Sequence, residues 1–308
     1  MLPRGVSPID SLIARTPDMR EASHVGSVAA PRPGAWRRAG RALRASDWWY
    51  FSLLPLVGLV GDLSGEGDIV LRLMGGVLVA ALCLAYSYGF NGITDRGMDR
   101  DEAKNALAGL AEVPREAALL VAACALAAVG IAAALTPVAL LGTGMSLVAA
   151  TLYSAQPRLK RLPIVGTLVN MLIFAPLPLL AAVGPPSPGM LFLTCCFYVL
   201  LTQNQILHEI ADGQEDLTAG VRTTGVVVGT TGVRVIAVIL GPLAALLVWR
   251  MQATPSVALL AAALGLCGGA TMVALGDAQR ARQLRVAHRW YSLAVGGVLF
   301  ALVAGGIG

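Results

Sequence analysis

The sequence predicts an all-α fold: a multi-pass membrane helical bundle of about nine transmembrane helices around a central cavity. Three observations carry this. Only 13% of the 308 residues are charged, 56% are hydrophobic and the mean hydropathy is +0.71, whereas soluble domains carry about 25% charged residues. From Trp48 onward, apolar stretches recur at the length of about 17–25 residues needed to cross a hydrocarbon core. The basic residues also gather on one side of these stretches. Such a composition argues against a disordered chain, an ordinary nucleic-acid-binding domain and a soluble enzyme.

Residues 1–44 read as a mobile cytoplasmic tail, polar and interrupted by Pro3, Pro8, Pro17, Pro31 and Pro33. They lack the apolar core of a secretory signal. Trp36 to Arg44 reads either as a basic interfacial helix, with Arg37, Arg38, Arg41 and Arg44 near headgroups, or as a solvated charged face. Residues 45–308 form the membrane domain. The expected spans are 48–64, 70–93, 116–135, 138–154, 164–183, 189–211, 226–249, 256–275 and 289–307. Thr136-Pro137, Pro185-Pro186-Ser187-Pro188 and Thr254-Pro255 punctuate them as turns.

With the amino end inside, all but Arg72 and Arg250 of the 23 basic residues fall on the cytoplasmic side. This bias fixes the expected orientation and accounts for the net charge of +5 without a nucleic-acid partner. Trp48, Trp49, Tyr50, Trp249, Trp290 and Tyr291 fall at span ends, where an aromatic belt is expected. Cys83, Cys124, Cys195, Cys196 and Cys267 lie in apolar runs without metal-ligand spacing and read as small buried hydrophobes.

Two cytoplasmic segments break the apolar pattern. The first places Asn91, Asp95 and Asp99 four residues apart at the end of the second span. On a helix this spacing keeps three oxygen-bearing side chains on one face over about 12 Å. The second places Asp212 and Asp216 at the same spacing at the end of the sixth span, with His208 and Glu209 one turn earlier. The arrays stand at matching points four helices apart, which hints at a duplication. Carboxylates abutting a membrane span are costly and mark candidate functional sites. Hard oxygen ligands of this kind suit Mg²⁺, which takes one or two carboxylates and completes its octahedron with water and phosphate oxygens. Facing arrays suit two ions around a diphosphate, neutralising charge on a leaving pyrophosphate.

On these motifs the chain resembles the UbiA superfamily of intramembrane prenyltransferases. The resemblance spans about 45–305 and rests on both arrays. It rests also on Tyr153-Ser-Ala-Gln-Pro157-Arg-Leu-Lys160 after the fourth span, and on Gly220-Val-Arg-Thr223 after the second array. It implies Mg²⁺-dependent transfer of an isoprenyl group from an isoprenyl diphosphate to a lipophilic, aromatic or other acceptor within membrane lipid. It implies that Asn91, Asp95, Asp99, Asp212 and Asp216 hold the Mg²⁺–diphosphate. Lys160 would contact the diphosphate, and Lys104 would be a further phosphate ligand. Two departures stand out. Lys104-Asn105-Ala-Leu replaces the relatives' R-P-L or K-N-P-L. Tyr86-Ser-Tyr88-Gly-Phe90 fills the stretch where many relatives carry an Arg.

Other roles stay open at this stage. Tyr153 either bonds pyrophosphate or acceptor, or is an interfacial tyrosine. His208 is either a general base or a cation-stabilising neighbour, or a structural hydrogen-bond partner. Arg158 and Arg161 meet either headgroups or substrate. Arg222 either clamps phosphate or sets topology. Tyr86, Tyr88 and Phe90 either face an allyl cation or pack the bundle. Two rival functions are a terpene cyclase that ionises the diphosphate without an acceptor, and a cation-coupled transporter. The transporter fits less well, because its ions bind near the midplane.

Overall fold

The computed structural model describes residues 34–60, 68–99, 101–184, 186–218, 222–251, 257–277 and 279–305. Within α-helices, the side chains of 214–216, 218 and 243–251 lie outside that description. Every regular element among the described residues is helical.

A short helix, α1 (Ala35–Ala42), turns through Arg44 into α2 (Ala45–Trp48) and a 3-10 helix at Trp49–Leu59. Ala39 and Ala42 of α1 are buried against Leu107 and Ala117, while Trp36, Arg37 and Arg41 point outwards. The expected first span is therefore the 3-10 run with Pro55 inside it, too short to be a regular spanning helix. Trp48 and Tyr50 also depart from the expected aromatic belt. Both are buried, and Trp48 Nε1 donates to the Leu43 carbonyl at 2.6 Å. Trp49 and Trp290 remain exposed, and the Trp249 side chain lies outside the described residues.

Helix α3 (Ile69–Asp95) opens on an Asp68 cap whose side chain accepts from Val70 and Leu71 N–H. A cap of this kind satisfies amide donors that have no partner within the helix. Helix α4 (Arg115–Leu135) is followed directly by α5 (Pro137–Ser154). Thr136 caps α5 by accepting from Ala139 N–H, and Pro137 occupies the first turn, where its missing N–H costs nothing. The expected span 164–183 is broken. It comprises α6 (Val165–Phe174) and a 3-10 turn at Leu177–Ala181 that follows Pro176 and contains Pro178. Proline cannot extend the α hydrogen-bond ladder, so the break sits there.

The second half contains α7 (Pro188–Thr218), α8 (Thr224–Met251), α9 (Val257–Leu275) and α10 (Ala281–Ala304). Gly229, at φ 75°, kinks α8. Among the described residues seven helices are long and apolar enough to cross a membrane: α3, α4, α5, α9, α10, and α7 and α8 through Pro188–Gly213 and Thr224–Pro242.

The bundle has two packed halves. One hydrophobic cluster joins α3, α4, α5 and the broken α6 around Leu84, Ile173 and Leu177. Others join α7, α8, α9 and α10 around Leu200, Leu207 and Leu266. The seam between the halves carries the 3-10 run and both cavities described below. All five cysteines are free, but Cys195 and Cys267 face outwards rather than into the core.

Candidate active site

Helix α3 ends at Asp95, so only Asn91 and Asp95 of the first array are helical. Asp99 follows in a turn whose amide still bonds the Asp95 carbonyl at 2.9 Å. Asp95 is 7% exposed. The Lys160 ammonium bridges both Asp95 carboxylate oxygens and Asn91 Oδ1, at 2.5 Å from Asp95 Oδ1 and 2.9 Å from Asn91. Ser154 Oγ donates to the same Asn91 oxygen at 3.0 Å. Arg158 donates to the Thr94 carbonyl and stands 3.8 Å from Asp95. Lys160 and Arg158 thus both lie against the first array. Burial pushes the Lys160 ammonium below the usual lysine value, and the Asp95 charge opposes that shift.

The loop that presents Lys160 is held in an uncommon backbone. Arg158 adopts a left-handed φ of 59°, and Ile164 a φ of 65°. Gly166 lies directly under it: a Cβ there would stand 2.8 Å from the Lys160 carbonyl oxygen and 2.9 Å from its Cα. No side chain fits at that distance without moving the loop. Asp99 is fixed separately. Asn105, only 2% exposed, donates to Asp99 Oδ2 at 2.8 Å and to the Gly92 carbonyl at 3.0 Å. The loop therefore closes through Asn105 without the proline that relatives carry.

The second array differs. Asp212 lies 3.4 Å from the Lys104 ammonium and 3.2 Å from His208 Nδ1. Lys104 thus links the loop after the first array to the second. Glu209 turns away. It accepts from Thr167 Oγ1 at 2.8 Å and Gly225 N–H at 2.7 Å, clasping α6 and α8 onto α7. The Asp216 side chain lies outside the described residues. Arg222 is exposed.

Asn91, Tyr153 and His208 line one polar cavity of about 110 Å³. Tyr153 is within 5.9 Å of the Lys160 ammonium, measured from its ring centre. The aromatic cluster divides. Tyr86 stacks on Phe90 and bonds Thr151, which is packing, whereas Tyr88 faces the cavity beneath the Arg44 guanidinium at 5.4 Å. Residues two apart on a helix point to different sides, which separates Tyr88 from the other two.

Sequence reasoning gives no site role to several lining residues: Arg44, Tyr50, Asn170, Asn204, Arg285 and Arg289. Arg285 and Arg289 were counted only for topology. Their four-residue spacing within an apolar helix was the available signal. An apolar cavity of about 280 Å³ adjoins the polar one and shares Tyr50, Phe51, Leu201, Asn204 and Arg289 with it. It lies among the 3-10 run, α7 and α10.

Fold and site together define an integral membrane protein with an amphipathic cavity, lined at its polar end by Asn91 of the first array and by His208 one turn before Asp212. The model of the UbiA prenyltransferase family matches residues 52–294, and the chain belongs to that family. No curated protein matches the sequence. Among solved structures, digeranylgeranylglyceryl phosphate synthase is similar at 16% identity and TM-score 0.68, over 88% of this chain and 99% of that one. A UbiA homologue from Archaeoglobus fulgidus bound to GPP and Mg²⁺ is similar at 20% identity and TM-score 0.61, over 87% and 99%. A UbiA homologue from Aeropyrum pernix K1 is similar at 19% identity and TM-score 0.61, over 82% and 98%.

Proposed function

We propose that the protein transfers an isoprenyl group from an isoprenyl diphosphate to a lipophilic acceptor, aromatic in our reading, and releases pyrophosphate. The observation that carries this is the amphipathic cavity whose polar end is lined by Asn91, which shares Lys160 with Asp95, and by His208, 3.2 Å from Asp212. The Archaeoglobus homologue bound to GPP and Mg²⁺ supports the donor class.

The residues fit Mg²⁺. Asn91 and Asp95 already share one cation, the Lys160 ammonium, through oxygen donors alone. Among the described residues no three His, Cys, Asp or Glu side chains form a closed metal cluster. Oxygen donors of this kind suit an ion that retains water and phosphate oxygens, as Mg²⁺ does. Asn91, Asp95 and Asp99 would hold one ion, and Asp212 with Asp216 a second. Mg²⁺, when bound, supplies Lewis-acid neutralisation of the leaving diphosphate.

In this reading Lys160, Lys104 and Arg158 bind phosphate oxygens, and Arg222 stands further out as a phosphate contact. The arrays hold the diphosphate at the seam, with the prenyl tail in the apolar cavity. The allylic C–O bond breaks and its electron pair leaves with pyrophosphate. Tyr153 and His208 flank the polar cavity. Tyr153 orients the reacting groups, and His208 accepts the proton the acceptor loses after its electron pair bonds the allylic carbon. The apolar walls limit water that would otherwise capture the cation. The amino end and the site lie on the cytoplasmic side, supported by the one-sided distribution of Lys and Arg.

The test incubates purified full-length protein with Mg²⁺, C10–C20 diphosphates and lipid extract. Pyrophosphate release with an acceptor-plus-prenyl mass is the expected result. A hydrocarbon or terpene alcohol product would instead establish cyclisation, and absence of pyrophosphate release from every donor would overturn the proposal.

A further inference from the structure

The apolar cavity follows one stripe of α10, through Arg289, Leu293, Gly296, Gly297 and Phe300, the three-and-four spacing of one helix face. At about 1.5 Å per residue, Gly296 stands about 10 Å beyond Arg289, and Phe300 about 16 Å. A Cβ built on Gly296 or Gly297 meets nothing within 4 Å. Packing does not require glycine here. The opposite holds on neighbouring α9, where a Cβ on Gly265 would stand 2.5 Å from a Val295 methyl. The two α10 glycines therefore leave open volume in the cavity wall.

At the near end of the cavity lies Tyr50, 9% exposed, which lines both the polar and the apolar space. Among the described residues its hydroxyl has no hydrogen-bond partner. A hydroxyl so placed calls for a polar group from an occupant. The apolar walls beyond it call for a hydrocarbon chain attached to that group.

We infer that Gly296 and Gly297 are specificity-determining positions that set the length of isoprenyl chain the cavity takes. This rests on the prenyl-transfer reading above. Each isoprene unit adds four chain bonds of about 1.5 Å, hence about 5 Å when extended. Measured from the Arg289 level, a second unit ends near Gly296 and a third ends near Phe300. The native cavity thus takes a C15 chain, and a leucine at 296 occupies the space where the third unit begins.

The experiment compares wild-type protein with Gly296→Leu and the milder Gly296→Ala, using C5, C10, C15 and C20 diphosphates with Mg²⁺ and reading pyrophosphate release. Displacement by non-ionising thiodiphosphate analogues of the same lengths reads binding in parallel. Gly144→Leu on α5 is the control, because its Cβ also meets nothing and it lines neither cavity. Gly296→Leu is expected to lower kcat/KM and affinity for C15 and C20 by about tenfold relative to C10, the equivalent of unburying about two methylenes. Gly296→Ala moves the same ratio less, and Gly144→Leu leaves it unchanged. An unchanged C15-to-C10 ratio in both Gly296 variants, or equal loss at C10 and C15, overturns the inference. Length-dependent analogue binding that Gly296→Leu shortens, with no pyrophosphate released by the wild type, retains the length inference and overturns the transfer reading.

Discussion

The two acidic arrays share a spacing but not an environment. On α3, Asp95 is buried and locked to Lys160, with Asn91 and Ser154 completing the same network. On α7, Asp212 is half-buried, with Lys104 and His208 near its carboxylate, and its neighbour Glu209 is committed to holding helices together. Equal sequence patterns therefore encode a rigid cation seat on one side and a looser one on the other. The difference comes from the partners: a short strained loop supplies the half-buried Lys160, whereas the exposed Lys104 supplies the second cation. A preorganised charge site contributes most where its groups need no rearrangement.

The comparison predicts a ranked series of losses. Asp95→Asn should have the largest effect, lowering kcat/KM by about 10³-fold, because it removes charge from the rigid seat. Asp212→Asn should cost about 10²-fold by the same steady-state assay, since it is less buried and its ion pair, at 3.4 Å, is longer. A larger loss at Asp212 than at Asp95 would reverse the assignment of rigid and loose sites. Gly166→Ala leaves every polar group in place but displaces the Lys160 backbone. Steady-state kinetics should show a loss of about tenfold from misplacement alone. Glu209→Gln should act on stability instead, lowering it by about 1–3 kcal/mol in denaturant unfolding, with kcat retained at low temperature.

The helical bundle was legible because hydropathy and charge asymmetry are properties of whole segments. The failures are local. The run 48–64 and the run 164–183 are apolar enough to read as spans, yet Pro55 and Pro178 lie in 3-10 runs and Pro176 in the turn before one, which hydropathy does not register. The first array was legible from its four-residue spacing, and Lys160 from its resemblance motif. Spacing places Glu209 one turn before Asp212, but its direction depends on Thr167 and Gly225, residues 42 and 16 positions away in sequence. Arg285 and Arg289 line the cavity because α10 returns to pack against α7 and α9. No local pattern encodes that return.

The account's central claim is that both arrays hold metal around one diphosphate. Electron paramagnetic resonance of Mn²⁺ titrated into the protein with a non-ionising isoprenyl thiodiphosphate tests it most directly. Two mutually coupled Mn²⁺ ions per wild-type chain are expected, falling to one in Asp95→Asn and to one in Asp212→Asn. Full occupancy by two coupled ions in both variants would contradict the account.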